Sequence, residues 1–356
     1  MQEYVYTLYS IQGVGPVYYK KLVSHFGSAK KVFEASLKEL KEIVPEKIAV
    51  QIKSANLQLS LKIASQLKDK GIKCIDFTFQ EYPEEFKIKE IFPPVIFYKG
   101  TLPSPKEKKI AIVGTRKPTN YGIQVTRKLC KELIENKFHI VSGGARGIDT
   151  VAHQTALKKE GKTASILGCG IDVAYPPENS KLFEKIAQTG ALISEFFPGT
   201  RPLKENFPKR NRLIAGMSDC VVIVEAGEKS GALITARWAL ELGKEVYAVP
   251  GPINSPASVG TNKLIKDGAK PVTCIEDILE DFGIELTKEA KSEREDSLTD
   301  LEKIVFEKIS HEPKHFDELI AETGLLVSDL LSILFQLEIK GLIQELPGKF
   351  YSKAIN

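Results

Sequence analysis

Ile110-Ala111-Ile112-Val113-Gly114-Thr115-Arg116 and, further on, His139-Ile140-Val141-Ser142-Gly143-Gly144-Ala145-Arg146-Gly147-Ile148-Asp149 are the stretches whose reading decides the fold. Each is a short apolar run without alternation that stops at glycine and leads into helix-forming sequence. An unalternating run of this length reads as a strand buried on both faces, and the glycine lets the chain turn sharply into the next helix. The same unit recurs at 163–167, 191–193, 220–224, 245–249 and 271–274, which makes seven strands alternating with helices. That pattern predicts an α/β fold, a Rossmann-like parallel sheet with helices on both faces, over residues 106–282.

On the amino-terminal side, residues 71–105 carry apolar and aromatic runs broken by Pro83, Pro93 and Pro94, which suits a connecting or edge-strand segment. Residues 1–70 place Leu22, Val23, Phe26, Val32, Phe33, Leu37, Leu40 and Ile43 at helical spacing, a small all-α unit of helix-hairpin-helix or SAM-like type. Its Ile11-Gln12-Gly13-Val14-Gly15-Pro16 is the glycine hairpin, whereas a second hairpin near Val44-Pro45-Glu46-Lys47 lacks glycine. A structural role and a weak DNA contact stand level for it. On the carboxyl side, 283–299 is polar and charged and reads as a linker. Residues 300–356 follow as three helices and a hairpin turning at Pro347-Gly348, the order of a winged helix.

The length of 356 residues agrees with two to three folded units. With 42% hydrophobic and 27% charged residues, global disorder and collagen-like repetition are excluded. No run of 18 apolar residues occurs, and Met1 is followed by Gln2-Glu3 rather than a basic leader, so a soluble, cytoplasmic protein with no membrane contact is expected. The five cysteines, Cys74, Cys130, Cys169, Cys220 and Cys274, lie far apart and form no zinc-knuckle spacing. Neither a metal nor a cofactor is expected. The net charge of +4 hides an asymmetry: residues 1–100 carry 15 Lys/Arg against 11 Asp/Glu, 101–283 carry 26 against 20, and 284–356 carry 9 against 15. Seven of the eight arginines fall in the middle segment, where an anionic ligand is expected.

In an open parallel sheet, ligands sit outside the carboxyl ends of the strands. The loops there are Gly114-Thr115-Arg116, Ser142 to Gly147, Gly168-Cys169-Gly170, Glu225-Ala226 and Pro250-Gly251. The Gly143-Gly144 turn followed by Gly147 and Asp149 reads as a phosphate nest, although G-x-G-x-x-G and Walker A are both absent. Phe207-Pro208-Lys209-Arg210-Asn211-Arg212 adds three cations at a helix start with no acidic partner close in sequence. A rival reading is a nucleotide-processing enzyme, similar to a nucleoside monophosphate glycosidase, with Glu195 and Glu225 as acid–base groups. Against it, the loop Glu225-Ala226-Gly227-Glu228-Lys229-Ser230-Gly231-Ala232 lacks the Pro-Gly-Gly-x-Gly-Thr turn of such enzymes. Glu225 is expected to anchor a loop, His153 to pack on its helix, and no residue is assigned a catalytic role.

Val113-Gly114-Thr115-Arg116, Ser142 through Asp149, Tyr175-Pro176-Pro177-Glu178-Asn179, Ser194-Glu195, Phe207 through Gly216, Ser230-Gly231-Ala232-Leu233-Ile234-Thr235, Val249-Pro250-Gly251 and Gly260-Thr261-Asn262 follow one another as the motifs of the DprA/Smf family do, and the chain resembles that family closely. The resemblance implies a non-enzymatic protein that binds single-stranded DNA, protects it during natural transformation, loads RecA recombinase onto it and dimerises through the Rossmann-like domain. Carried over, the DNA pocket comprises Arg116, Ser142, Gly143, Gly144, Ala145, Arg146, Asn179, Arg210, Asn211 and Arg212. In it, backbone amides and the Ser142 hydroxyl hold one phosphate and the arginines hold its neighbours. Lys181 and Lys209 serve as secondary contacts, and Phe183 or Phe207 as a stacking face, with a buried core aromatic the favoured reading for Phe183. Leu264 and Ile265, an apolar pair near the last strand, are the candidate dimer interface, with a place in the core the favoured reading for Ile265. The third winged helix exposes Ser328, Asp329, Ser332, Gln336 and Glu338, and its one cation, Lys340, lies at the far end. Within a segment of net charge −6, it is expected to contact protein and to be dispensable for binding DNA.

Overall fold

The computed structural model describes residues 2–89, 91–284, 298–310, 312–339 and 342–353. It divides into two units, Met1–Thr273 and Cys274–Asn356.

The first unit opens with six helices: α1 (Gln2–Ser10), α2 (Pro16–Phe26), α3 (Ala29–Glu34), α4 (Leu37–Ile43), α5 (Glu46–Ser54) and α6 (Leu57–Asp69). Local sequence sets their ends. Pro16 starts α2 and Gly27 ends it in the left-handed region, Ser28 caps α3, and Ser36 with Glu39 forms a capping box on α4. Gly13 has φ +92°, and a Cβ there would meet Ile48 Cγ1 at 3.3 Å, so the first hairpin packs on α5 at a place where only glycine fits without strain.

The sheet has nine strands: β1 (Lys73–Asp76), β2 (Val95–Gly100), β3 (Lys109–Val113), β4 (His139–Ser142), β5 (Thr163–Ile166), β6 (Ala191–Ser194), β7 (Cys220–Ile223), β8 (Glu245–Ala248) and β9 (Lys270–Pro271), in the order β1-β2-β6-β5-β4-β3-β7-β8-β9. Strands β3 to β9 pair in parallel. The proline-broken segment does more than connect, because β2 pairs antiparallel with β6 and β1 forms the sheet edge beyond it. The last strand covers Lys270–Pro271 rather than 271–274, although Val272 N still donates to Ala248 O at 3.0 Å. Helices α7 (Asn120–Glu135), α8 (Ile148–Lys158) and α9 (Ser180–Thr189) pack together along one side. Helices α10 (Asn206–Met217) and α11 (Ala232–Glu241) pack on each other and bury Leu213, Ile214, Ala236 and Ala239 with Ala111, Val113, Val221 and Ile223. The short α12 (Val259–Lys266) precedes β9. The strand order reverses at β3, which opens a crevice at the carboxyl ends of β3, β4 and β7.

The helical bundle is seated on the β1–β2–β6 end by aromatic and polar contacts. Tyr9 stacks on Phe197 with centroids 5.0 Å apart, and the Tyr19 hydroxyl donates to Asp76 Oδ2 at 2.7 Å. Under α8, the buried His153 places Nδ1 2.7 Å from Thr163 Oγ1, whose own proton goes to Ile140 O. Burial holds this imidazole neutral and pushes its pKa down to about 3. The unfolded ring takes a proton near pH 6.5 and the folded ring refuses it, so this stabilisation is complete above that pH and is lost as pH falls toward 3. At pH 5 the loss amounts to about 2 kcal/mol. Urea unfolding at pH 7.5 and pH 5 is expected to show a smaller acid loss in His153→Gln than in the parent. An equal loss in both would remove His153 as the cause.

In the second unit α13 (Glu276–Leu279) precedes α14 (Asp300–Lys308), β10 (Lys314–His315), α15 (Phe316–Thr323), α16 (Val327–Ile339), β11 (Ile343–Leu346) and β12 (Phe350–Lys353), with sheet order β10-β12-β11. This is a winged helix whose core includes Val305, Leu319, Leu330, Leu334 and Leu337. The two-residue β10 was not foreseen, being too short to show a period. Of the linker expected at 283–299, residues 285–297 lie outside the described residues. Leu298 is buried in the winged-helix core and Thr299 forms a capping box with Glu302, so both belong to the folded module.

Candidate nucleic-acid interface

The crevice is built on two loops locked backbone to backbone. Gly147, at φ +78°, lies so close to the Thr115 carbonyl and the Arg116 backbone that a Cβ would come within 2.9 Å of Arg116 Cα. Glu225, at the end of β7, fixes the first loop from below: its carboxylate accepts from Thr119 N at 2.9 Å and Thr119 Oγ1 at 2.5 Å, and its carbonyl accepts from Thr115 N. Glu225 is therefore the loop anchor that its sequence position suggested.

The second loop departs from expectation. Gly143 N and Ala145 N both donate to Asp149 Oδ2, at 3.2 and 3.3 Å, so the amides expected to hold phosphate already hold an internal carboxylate. Burial raises the Asp149 pKa, while the Arg210 cation and these two amides draw it back. The Ser142 hydroxyl is buried and donates to Ile112 O at 2.7 Å, which removes it as a phosphate ligand. Asn179 is buried as well: its Nδ2 donates to Gly144 O and Thr150 Oγ1, bracing the turn from behind. Gly144 has φ +68°, and a Cβ there would lie 2.6 Å from Phe183 Cε1. Phe183 is thus core beneath the turn and offers no stacking face.

Helix α10 separates its cations. Residues two apart on a helix point about 200° from each other, so Arg210 and Arg212 cannot share a target. Arg210 is buried and ties the floor together, with Nη1 donating to Gly143 O at 2.5 Å and to Ile166 O, and Nε to Asn211 Oδ1 at 3.0 Å. Burial lowers its pKa to about 10, which leaves it cationic at neutral pH. Asn211 Nδ2 donates to Gly231 O at 3.1 Å and so joins α10 to the loop after β7. Arg212 leaves the crevice, pairs with Glu195 and donates to Ile91 O. Arg146 is half exposed and paired with Glu178, a solvent-screened contact that an incoming phosphate can displace. Of the α10 cations, Arg212 thus finds its acidic partner, Glu195, outside its own segment.

The exposed features lie at the mouth. The Arg116 guanidinium stands 5.5 Å over the Phe207 ring, and Phe207 lies 5.5 Å from Tyr175. Arg116, Gly143, Ala145, Arg146, Tyr175 and Phe207 line a narrow slot. Beyond it, a trough of about 790 Å³ runs past Lys204, Arg210, Lys229 and Ser230. Tyr175, Lys204 and Lys229 were not singled out from sequence. Tyr175 and Lys229 stand in quoted loops, but only the assembled crevice shows that they share it with Phe207. Lys181 and Lys209 are exposed and line neither the slot nor the trough.

Comparison with known proteins agrees with this organisation. The DNA recombination-mediator protein A family profile matches residues 73–283, a DprA winged-helix profile matches 289–349, and a SAM-like helix-hairpin-helix tandem matches 6–55. Protein Smf of Synechocystis is 33% identical over 96% of both chains. DNA processing protein DprA of Bacillus subtilis is 43% identical over 65% of this chain and 81% of its own. The X-ray structure of DprA from Streptococcus pneumoniae superposes with a TM-score of 0.69 at 34% identity, covering 81% of this chain and 99% of that one. A Helicobacter pylori DprA structure, described for its single-stranded DNA binding mode, gives a TM-score of 0.52 at 36% identity over 57% of this chain and 94% of that one. With a profile covering more than half the sequence and a relative matched along nearly its whole length, the chain belongs to the DNA recombination-mediator protein A family, whose members carry the names DprA and Smf.

Proposed function

We propose that the trough binds single-stranded DNA. The carrying observation is the exposed Arg116 guanidinium over Phe207 at the mouth of a groove that also holds Tyr175, Lys204 and Lys229: cations for phosphates beside aromatic faces for bases. The Helicobacter pylori relative, described for binding single-stranded DNA, supports the same ligand. The nucleotide-hydrolase reading loses its acid–base groups, because Glu225 is committed to Thr119 and Glu195 to Arg212. Anisotropy titration of single- and double-stranded oligonucleotides at several salt concentrations, beside a nucleotide-hydrolysis assay, tests the reading. Preferential, salt-dependent single-strand binding without hydrolysis is the expected result, and turnover of a nucleoside monophosphate would overturn it.

In the cell this activity would protect incoming DNA in the cytoplasm during natural transformation and load RecA recombinase onto it. The chain would act as a homodimer through the region of Leu264 and Ile265. Leu264 packs partly against the sheet core, so a charge there would endanger the fold, whereas Ile265 is half-buried outside that cluster. Ile265→Glu is therefore expected to give a folded monomer by light scattering. An unaltered dimer would move the interface elsewhere.

A further inference from the structure

The winged helix has a surface that neither its core nor a nucleic acid accounts for. Helix α16 buries Leu330, Ile333, Leu334 and Leu337 against the rest of the domain. Along a second line at i, i+4 and i+8, it leaves Val327, Leu331 and Phe335 exposed by 53%, 42% and 60%, with Leu326 just before the helix at 72%. Helix α14, which packs on α16, exposes Leu301 and Ile304 as well. Three helices and a hairpin have already closed the core, so this second apolar line has no internal role, and a contiguous apolar strip of this kind marks a contact site.

Charge selects the partner. From Val327 to Ile339 the helix contains Asp329 and Glu338 and no lysine or arginine, and Glu338, three residues after Phe335, sits on the apolar line. Elsewhere in the domain Lys314 pairs with Glu322 at 2.8 Å, Lys349 lies over the Phe316 ring and Lys353 over the Phe306 ring, while Lys303 and Lys308 stand exposed on α14. Residues 284–356 carry 9 basic against 15 acidic groups. A groove-reading helix needs donors and positive charge facing the phosphates, and this one would be repelled. We propose that the Val327–Leu331–Phe335 line of α16 docks a basic amphipathic helix of a partner protein. Apolar anchors one turn apart on the partner would fill the strip, and flanking Lys or Arg would meet Glu338.

The test is anisotropy of a fluorescent Leu/Lys amphipathic peptide of about 15 residues, long enough to form a helix on docking, titrated with the full chain. The same residues shuffled out of helical register serve as control. The wild type is expected to prefer the amphipathic peptide. Phe335→Asp and Glu338→Lys should each weaken it by about tenfold or more, with single-stranded DNA affinity unchanged. Glu338 is exposed, so its variant keeps the test decisive even where Phe335→Asp misfolds. Equal binding of ordered and shuffled peptides, or full retention in both variants, overturns the proposal. Duplex DNA binding that Phe335→Asp abolishes would assign the face to nucleic acid, and an oligomer that the same change dissolves in sedimentation would assign it to a second copy of the chain. Either overturns it.

Discussion

Arg210→Ala should unfold more readily than the parent and bind single-stranded DNA poorly, whereas Arg116→Ala should keep its stability and lose only DNA. The guanidinium of Arg210 is buried and bridges Gly143 O, Ile166 O and Asn211 Oδ1. Its removal strands those acceptors and leaves the buried Asp149 without its cation. Breaking such a buried charged network by deleting one partner costs about 3–5 kcal/mol, or roughly a 10 °C fall in melting temperature for a unit of this size. Because the same guanidinium supports the Gly143 turn and stands 5.9 Å from the Phe207 ring, the slot deforms with it. Arg116 is exposed, so its loss should leave the melting temperature unchanged. As a single phosphate contact, it should flatten the dependence of log affinity on log salt by about 0.7. Thermal melts beside salt-series titrations read both effects. An Arg210→Ala protein as stable as its parent would make Arg210 a ligand rather than a tie, and an unchanged affinity and slope in Arg116→Ala would end the trough assignment.

That contrast marks the boundary of what the sequence reveals. Seven strands were legible because helices cover both faces of their sheet, so each appears as an unbroken apolar run. The seventh, expected at 271–274, meets β9 only at Pro271; the two-residue β10 carries no such signal, and proline in the 71–105 segment obscured how fully β2 joins the sheet. The position of the crevice was legible too, since ligands of an open parallel sheet sit outside the carboxyl ends of its strands and the glycine loops there stand out in the sequence. Which polar atoms face it was not. Ser142, Asn179 and the amides of Gly143 and Ala145 have the right chemistry for phosphate, but each is committed to a partner that only the folded chain brings near. The sequence does hold one such signal: with 100° per residue on a helix, Arg210 and Arg212 have to diverge. Phe183 and Phe207 diverge as well, one buried beneath Gly144 and the other at the mouth under Arg116.

Where Arg212 goes instead supplies the other large effect. Its guanidinium pairs with Glu195 and donates to Ile91 O, with both charged side chains largely buried. Burial pushes the Glu195 carboxyl up, and the Arg212 charge counters it. Glu195→Leu leaves that cation buried beside a lone carbonyl and should cost about 3–5 kcal/mol. Combining it with Arg212→Met removes both charges, so the double variant should recover most of the loss, and the coupling measured across the cycle isolates the pair. Since Arg212 points away from the trough, single-stranded DNA affinity in the refolded double variant should match the parent within about twofold, roughly 0.4 kcal/mol. Denaturant melts of the four proteins with matched DNA titrations decide the matter. Additive losses would mean the two side chains do not act as a pair, and a DNA-binding defect in a stable double variant would return Arg212 to the interface.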